Sequence, residues 1–245
     1  MRFKIVPVFL LIFLIFSCSS KQIIDVSENG DIHCKVEIEL TKMFASYIGD
    51  LSDAAGTGAV PESYFDTEQI KSAFSSLEGV KLEKIAPASA SASKPELKLA
   101  FSVKNGAEGL NVIKGTNPAD NEIFTFSENS GIKKISFYLD RKNYIRINSA
   151  FAFEDNPVLA GLTPQPDNPY SEEEYLELLD YVFSEYTSDA ESIIKNSFVD
   201  IEINVKGKIQ KADGGKIKGN SVSFRIPAIK FLTLYNPVHF EIEYR

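Results

Sequence analysis

Val199, Ile201, Ile203 and Val205 alternate with Asp200, Glu202, Asn204 and Lys206. A period of two sends the two sets to opposite faces of an extended strand, one face apolar and one wet. The pattern recurs in Ile32, Cys34, Val36, Ile38 and Leu40, in Leu97, Leu99, Phe101 and Val103, in Val222, Phe224 and Ile226, and in Val238, Phe240, Ile242 and Tyr244. Further strands are predicted over 80–86, 110–114, 122–126, 133–140 and 143–148, with a tight turn at Arg141-Lys142 before the last. Strands with one wet face belong in antiparallel sheets. Asp213-Gly214-Gly215 is read as the turn of a long closing hairpin, because glycine accepts positive φ without steric cost.

The period changes in four places. Met43, Phe44, Tyr47, Ile48 and Leu51 recur at helical spacing, with Thr41 as N-cap and a helix to about Asp53. Asp66 and Gln69 frame a second helix carrying Ile70, Phe74 and Leu77. Ser171-Glu172-Glu173-Glu174 is a capping box opening a third, which runs to Tyr186, and 189–197 continues with Ile193 and Ile194. A Pro/Ala/Ser loop at 87–95 and a crossing with four prolines at 155–170 are irregular. The resulting expectation is an α+β fold, a mainly antiparallel curved sheet with three or four helices packed on one face, forming a single domain over 30–245.

The start of the chain is of another kind. Arg2 and Lys4 precede an apolar run from Ile5 to Phe16, broken only by Pro7. That run is too short to span a bilayer and has the length of a signal-peptide core. It ends in Ile15-Phe16-Ser17-Cys18, which resembles the lipobox of bacterial lipoproteins. Ile15, Ser17 and Cys18 match the pattern, while Phe16 stands where a small or aliphatic residue is usual, a looseness similar to that of spirochaetal lipoproteins. The resemblance implies removal of residues 1–17, a diacylglyceryl thioether on Cys18 and acylation of the new amino group, with palmitate among the chains. Two or more chains hold a protein stably, each buried CH₂ contributing about 0.8 kcal/mol. The same residues are open to ordinary secretory cleavage at Ser17-Cys18-Ser19, or to retention as an uncleaved anchor. Residues 18–29 are then expected to be the lipidated N-terminus and a short polar tether, and the location the cell envelope, on the inner or outer membrane.

With 1–17 gone, Arg2 and Lys4 leave 24 of the 26 basic residues against 34 acidic ones, and the formal net charge moves from −8 to −10. Such a balance argues against nucleic acid and against attraction to anionic lipid by charge alone. With Cys18 lipidated, Cys34 has no partner for an intramolecular disulfide, and alternation makes it a buried, hydrophobe-like thiol.

The closing stretch resembles the LppM-like group of small bacterial lipoproteins in Val205-Lys206-Gly207-Lys208-Ile209, Gly214-Gly215, Gly219-Asn220-Ser221-Val222 and Ile226-Pro227. Where that group often carries Trp after the Gly-Asn-x-Val segment, this chain has Phe224. The resemblance implies an envelope protein whose sheet-and-helix body binds lipid or glycolipid.

Phosphate loops, dinucleotide glycine fingerprints, zinc signatures and nucleophile elbows are missing from the sequence. Only His33 and His239 could serve as imidazole bases. Each lies on the polar side of its strand, His33 with Lys35, Glu37 and Glu39, and His239 with Glu241 and Glu243. Were those strands neighbours, they could converge on a metal; the plainer reading is a solvated sheet face. Asp155-Asn156 and Asp167-Asn168 read as turn formers rather than calcium ligands. Eighteen Phe and ten Tyr either fill an ordinary core or leave an apolar cleft for an acyl chain. The expectation is a non-enzymatic binding or interaction module without catalytic residues, metal or cofactor. Its partners would be the membrane through Cys18, and a lipid, a glycolipid or another envelope protein. A structural or host-facing surface protein is the alternative, and an envelope hydrolase the remote one.

Overall fold

The computed structural model describes residues 19–54, 65, 67–75, 79–88, 95–104, 123–144, 164 and 169–245. Strands are β1 (Ser19–Val26), β2 (Ile32–Glu39), β3 (Val80–Pro87), β4 (Glu96–Val103), β5 (Phe124–Asn129), β6 (Ile132–Leu139), β7 (Phe198–Val205), β8 (Ile209–Asp213), β9 (Lys216–Lys218), β10 (Ser221–Pro227) and β11 (Val238–Tyr244). Helices are α1 (Lys42–Ala54), α2 (Thr67–Ser75), α3 (Glu172–Val182), α4 (Ala190–Lys195) and α5 (Ala228–Thr233).

The alternation does what the physics requires. In β2, Ile32, Cys34, Val36 and Ile38 are buried while His33, Lys35, Glu37 and Glu39 are exposed. In β4 and β7 every second residue is buried in the same way. The strands do not, however, form one curved sheet. A seven-stranded sheet has the order β3-β4-β2-β1-β7-β10-β9, and a four-stranded sheet the order β5-β6-β11-β8. Pairing is antiparallel except for β1 with β7, which is parallel.

The central strand of the larger sheet is β1, at the place where a polar tether was expected. It pairs with β2 from Ser19↔Glu39 to Val26↔Ile32, and with β7 from Ser19↔Phe198 to Val26↔Val205. Its inward positions are Ser20, Gln22, Ile24 and Val26, all buried. Polar residues at the first two hide the alternation, which is why the strand is hard to read locally. Cys18 itself lies outside the described residues.

The register lines up two inward rungs across the larger sheet. One runs Phe101, Cys34, Ile24, Ile203, Val222, and the next Leu99, Val36, Gln22, Ile201, Phe224. Phe101 and Phe224 therefore share a face. Helix α2 covers one part of it, with Phe74 packed 5.3 Å from Phe101. The smaller sheet covers another part, with Phe240 of β11 stacked 4.4 Å from Phe224 and 5.0 Å from Phe137 of β6. So the buried face is shared between helices and a second sheet, and the expected one-sheet, one-layer-of-helices arrangement is corrected accordingly.

The second sheet arises from the closing hairpin. β7 and β10 pair antiparallel as read from the sequence, with Phe224 opposite Ile201. Between them the chain leaves the larger sheet, runs as β8 beside β11 in the smaller one, and returns as β9 beside β10. Gly214 and Gly215 make that return, rather than joining the two long arms. Gly214 has φ +75°, and a Cβ on Gly215 would lie 2.5 Å from Val222 Cγ2 and 2.7 Å from Phe224 Cε1. Both of those side chains are buried and cannot swing away. Gly215→Ala should cost about 1–3 kcal/mol through overpacking, read as a shift in urea midpoint; an unchanged midpoint would show that the crossing has room to spare.

Local signals explain the remaining elements. Ser171 caps α3 by accepting from the Glu174 N–H at 3.2 Å, while Glu174 Oε2 accepts from the Ser171 N–H at 2.8 Å. Donation from the Ser171 backbone N–H, with a smaller contribution from its side chain, holds the Glu174 carboxyl below its usual range. The Phe44 N–H donates to Thr41 Oγ1 at 3.4 Å as α1 begins. Phe44 and Tyr47 close edge-on around Phe183, at 4.7 and 5.1 Å, and so bind α1 to the end of α3. The strand expected from Asn143 is corrected at its start, where 141–144 are helical. Asp140 and Asn143 each accept from the other's backbone N–H, at 2.9 and 2.8 Å, and that reciprocal pair curls the chain. Residues 145–148 and the strand expected at 110–114 lie outside the described residues, as do Asp66, Asp155-Asn156 and Asp167-Asn168.

Candidate functional site

The outward face of the larger sheet carries the polar halves of its strands. Parallel pairing of β1 with β7 sets Lys21 beside Asp200, and antiparallel pairing of β7 with β10 sets Asp200 beside Arg225. The next row holds Ile23, Glu202, Ser223 and Lys216. Together these rows border an open groove of about 410 Å³, lined by Lys21, Asp200, Glu202, Lys216, Ser223 and Arg225 among others. Arg225 is fixed from two sides, its Cζ 4.1 Å above the Phe198 ring and Nη1 3.7 Å from Asp200 Oδ2. The pair is largely solvent-exposed, so the contact orients the guanidinium and contributes little to stability.

Gln22 borders the groove through its place on β1, but alternation turns its side chain to the buried face opposite Lys21. It is 4% exposed, and its Nε2 has no hydrogen-bond partner among the described residues; the same holds for Ser20 Oγ one rung away. Two polar side chains at adjacent inward positions of a central strand, flanked by Val36, Ile201, Ile38 and Val199, are costly where their bonds go unmade. A sequence of alternating strands would carry Val or Ile there. Ser20 and Gln22 depart from the pattern only because 19–26 is a strand; in a polar tether they would be ordinary residues.

The other singled-out residues are placed as follows. His33 lies on β2 in the larger sheet, its Nδ1 3.9 Å from Glu83 of β3, and His239 lies on β11 in the smaller sheet. The structure does not bring the two imidazoles together, and no group of three or more metal-ligating side chains occurs among the described residues. Cys34 is buried, and burial, with a smaller contribution from Asp25, pushes its thiol up to about 12. It therefore stays protonated and packs as an apolar residue. Glu172, Glu173 and Glu174 form the first turn of α3. The large aromatics Phe101, Phe183, Phe224, Phe231 and Phe240 are all buried.

Fold and groove define a strand-rich, largely antiparallel α/β protein with two sheets and an open, mixed-charge groove over its central strand. Among the described residues no helix is long and apolar enough to cross a membrane. No family model matches the chain, and no curated protein does. Among solved structures it is similar to the folded domain of LppM from Mycobacterium tuberculosis, solved by NMR, with 8% identity and a TM-score of 0.38 over 93% of this chain and 88% of that one. A likeness of that strength does not establish a common fold or a shared family.

Proposed function

We propose that the chain is an envelope lipoprotein, anchored through Cys18 to the inner or outer membrane, whose body binds the polar headgroup of a lipid or glycolipid. The observation that carries the binding reading is the outward row Lys21, Asp200 and Arg225, brought together at the groove by strand register, with Arg225 held over the Phe198 ring. In all, the groove offers three cations, two carboxylates and a hydroxyl, a donor and acceptor mixture suited to a polyhydroxylated headgroup better than to a purely anionic one. Among the described residues the large aromatics Phe101, Phe183, Phe224, Phe231 and Phe240 are all buried in the core. That favours the headgroup over the tail.

Two results test this reading. Cys18→Ala should move the protein from the detergent-rich to the aqueous phase in a detergent phase separation, because its acyl chains are lost; a variant that stays in the detergent phase refutes lipidation at Cys18. Gln22→Met keeps the side-chain length and removes the unpaired amide. It should raise unfolding stability by about 1–3 kcal/mol, whereas Arg225→Ala, which removes a groove cation, should weaken binding to vesicles containing monohexosyl-diacylglycerol roughly tenfold, the worth of about 1.4 kcal/mol. Native-strength binding by the Arg225 variant, or no binding by the native protein, overturns the headgroup reading.

A further inference from the structure

Seven rises of about 3.3 Å separate the two ends of β1, so the strand is roughly 23 Å long. Its Ser19 end lies with Glu39 of β2, Glu96 of β4, Phe198 of β7 and Pro227 of β10, and from this end the chain turns into α1 at Lys42 and α5 at Ala228. The opposite end holds the β1–β2 turn at Ser27–Asp31 and the β9–β10 turn that follows Lys218. Lys21, Asp200 and Arg225 form one row two residues in from Ser19, at a height of about 7 Å.

We infer that the anchored protein has no tether: the Ser19 end of the larger sheet rests on the bilayer, and β1 holds the groove at headgroup height, where it reads lipids that remain in the membrane. This rests on the Cys18 anchor proposed above. Adjacent Cα atoms are 3.8 Å apart across a peptide bond, so a lipid on Cys18 leaves no spacer before the fixed central strand. The headgroup layer on one side of a bilayer is about 5–8 Å deep, which matches the height of the Lys21 row. Charges at this end are mixed: Glu39 and Glu96 stand with Lys42, Lys98 and Lys230, and Lys98 is 3.2 Å from Glu96. Electrostatic attraction therefore does not set the orientation, and the covalent anchor does. A groove at this height needs no acyl cavity, because the ligand's chains stay in the bilayer.

The test uses the full lipidated chain in phosphatidylcholine vesicles carrying a headgroup-attached quencher. Single fluorophores go on Lys42→Cys, at the near end, and on Lys218→Cys, at the far end; both positions are exposed, and buried Cys34 stays unlabelled. Quenching should be several-fold stronger at position 42 than at 218. A ten-residue Gly/Ser insertion between Cys18 and Ser19, with an r.m.s. length of about 17 Å, should keep the acyl mass and level the two signals. Equal or reversed quenching in the acylated native chain overturns this orientation while leaving the anchor standing. An intact mass without acyl groups overturns the anchor, and the orientation falls with it.

Discussion

Phe240→Ala is expected to lower unfolding stability by about 3–5 kcal/mol. Phe240 is 2% exposed on β11 of the smaller sheet. It stacks on Phe137 of its own sheet at 5.0 Å and on Phe224 of the larger sheet at 4.4 Å, and Phe137 continues to Phe124 at 5.0 Å. One ring thus joins the two layers. Removing it forfeits the burial of a large apolar side chain and two ring contacts, each worth about 0.5–1.5 kcal/mol beyond area, and it leaves a void between sheets that cannot close without moving both. The comparison is Tyr181→Ala. Tyr181 is 81% exposed on α3, and its loss should stay within about 0.5 kcal/mol. Because the chain has no Trp, urea unfolding is followed by far-UV circular dichroism. A loss under about 1 kcal/mol for Phe240→Ala would mean that the sheets do not share a core, since a fully packed aromatic cannot be so cheap to remove.

That ring was visible in the sequence as an inward residue of an alternating strand, but its partner was not. Period-two patterning locates β2, β4, β7, β10 and β11 because each of them individually separates apolar from polar residues. It carries no information on which strands share a sheet. The assignment of β8 to the smaller sheet depends on Gly214 and Gly215 turning the chain from one layer to the other, and a pair of glycines reads equally well as a plain hairpin turn. The short α5, Ala228–Thr233, is hidden in the sequence because Pro227 reads as an interruption of a strand when it stands at the start of a helix. The capping box at Ser171 was legible because it is a local bond between residues three apart. For the groove the reverse holds. Its row of Lys21, Asp200 and Arg225 is assembled from three distant segments by strand register, and no local pattern can report it. Cys34 was legible as buried because its strand alternates without exception.

Ile23→Pro should cost about 3 kcal/mol or more, and it decides whether 19–26 is a strand or a tether. Ile23 lies in the middle of β1, opposite Lys35 of β2 on one side and Glu202 of β7 on the other. Neither side is an edge, so its N–H is committed to a ladder whichever way it points. Proline deletes that donor, leaves the facing carbonyl unpaired at a further cost of about 1–3 kcal/mol, and forces φ away from the extended value toward −65°. The side chain itself is only half-buried, so Ile23→Thr, which keeps the N–H and the β-branch, should lose no more than about 1 kcal/mol. The gap between the two variants therefore isolates the backbone. In a solvated tether proline costs almost nothing, because no ladder exists to break. A proline variant as stable as the threonine variant would return 19–26 to a tether, take Lys21 out of the groove row, and remove the basis for the proposed seating at the membrane. A large gap fixes 19–26 as a strand paired on both sides, the condition on which the proposed seating of the sheet at the membrane depends.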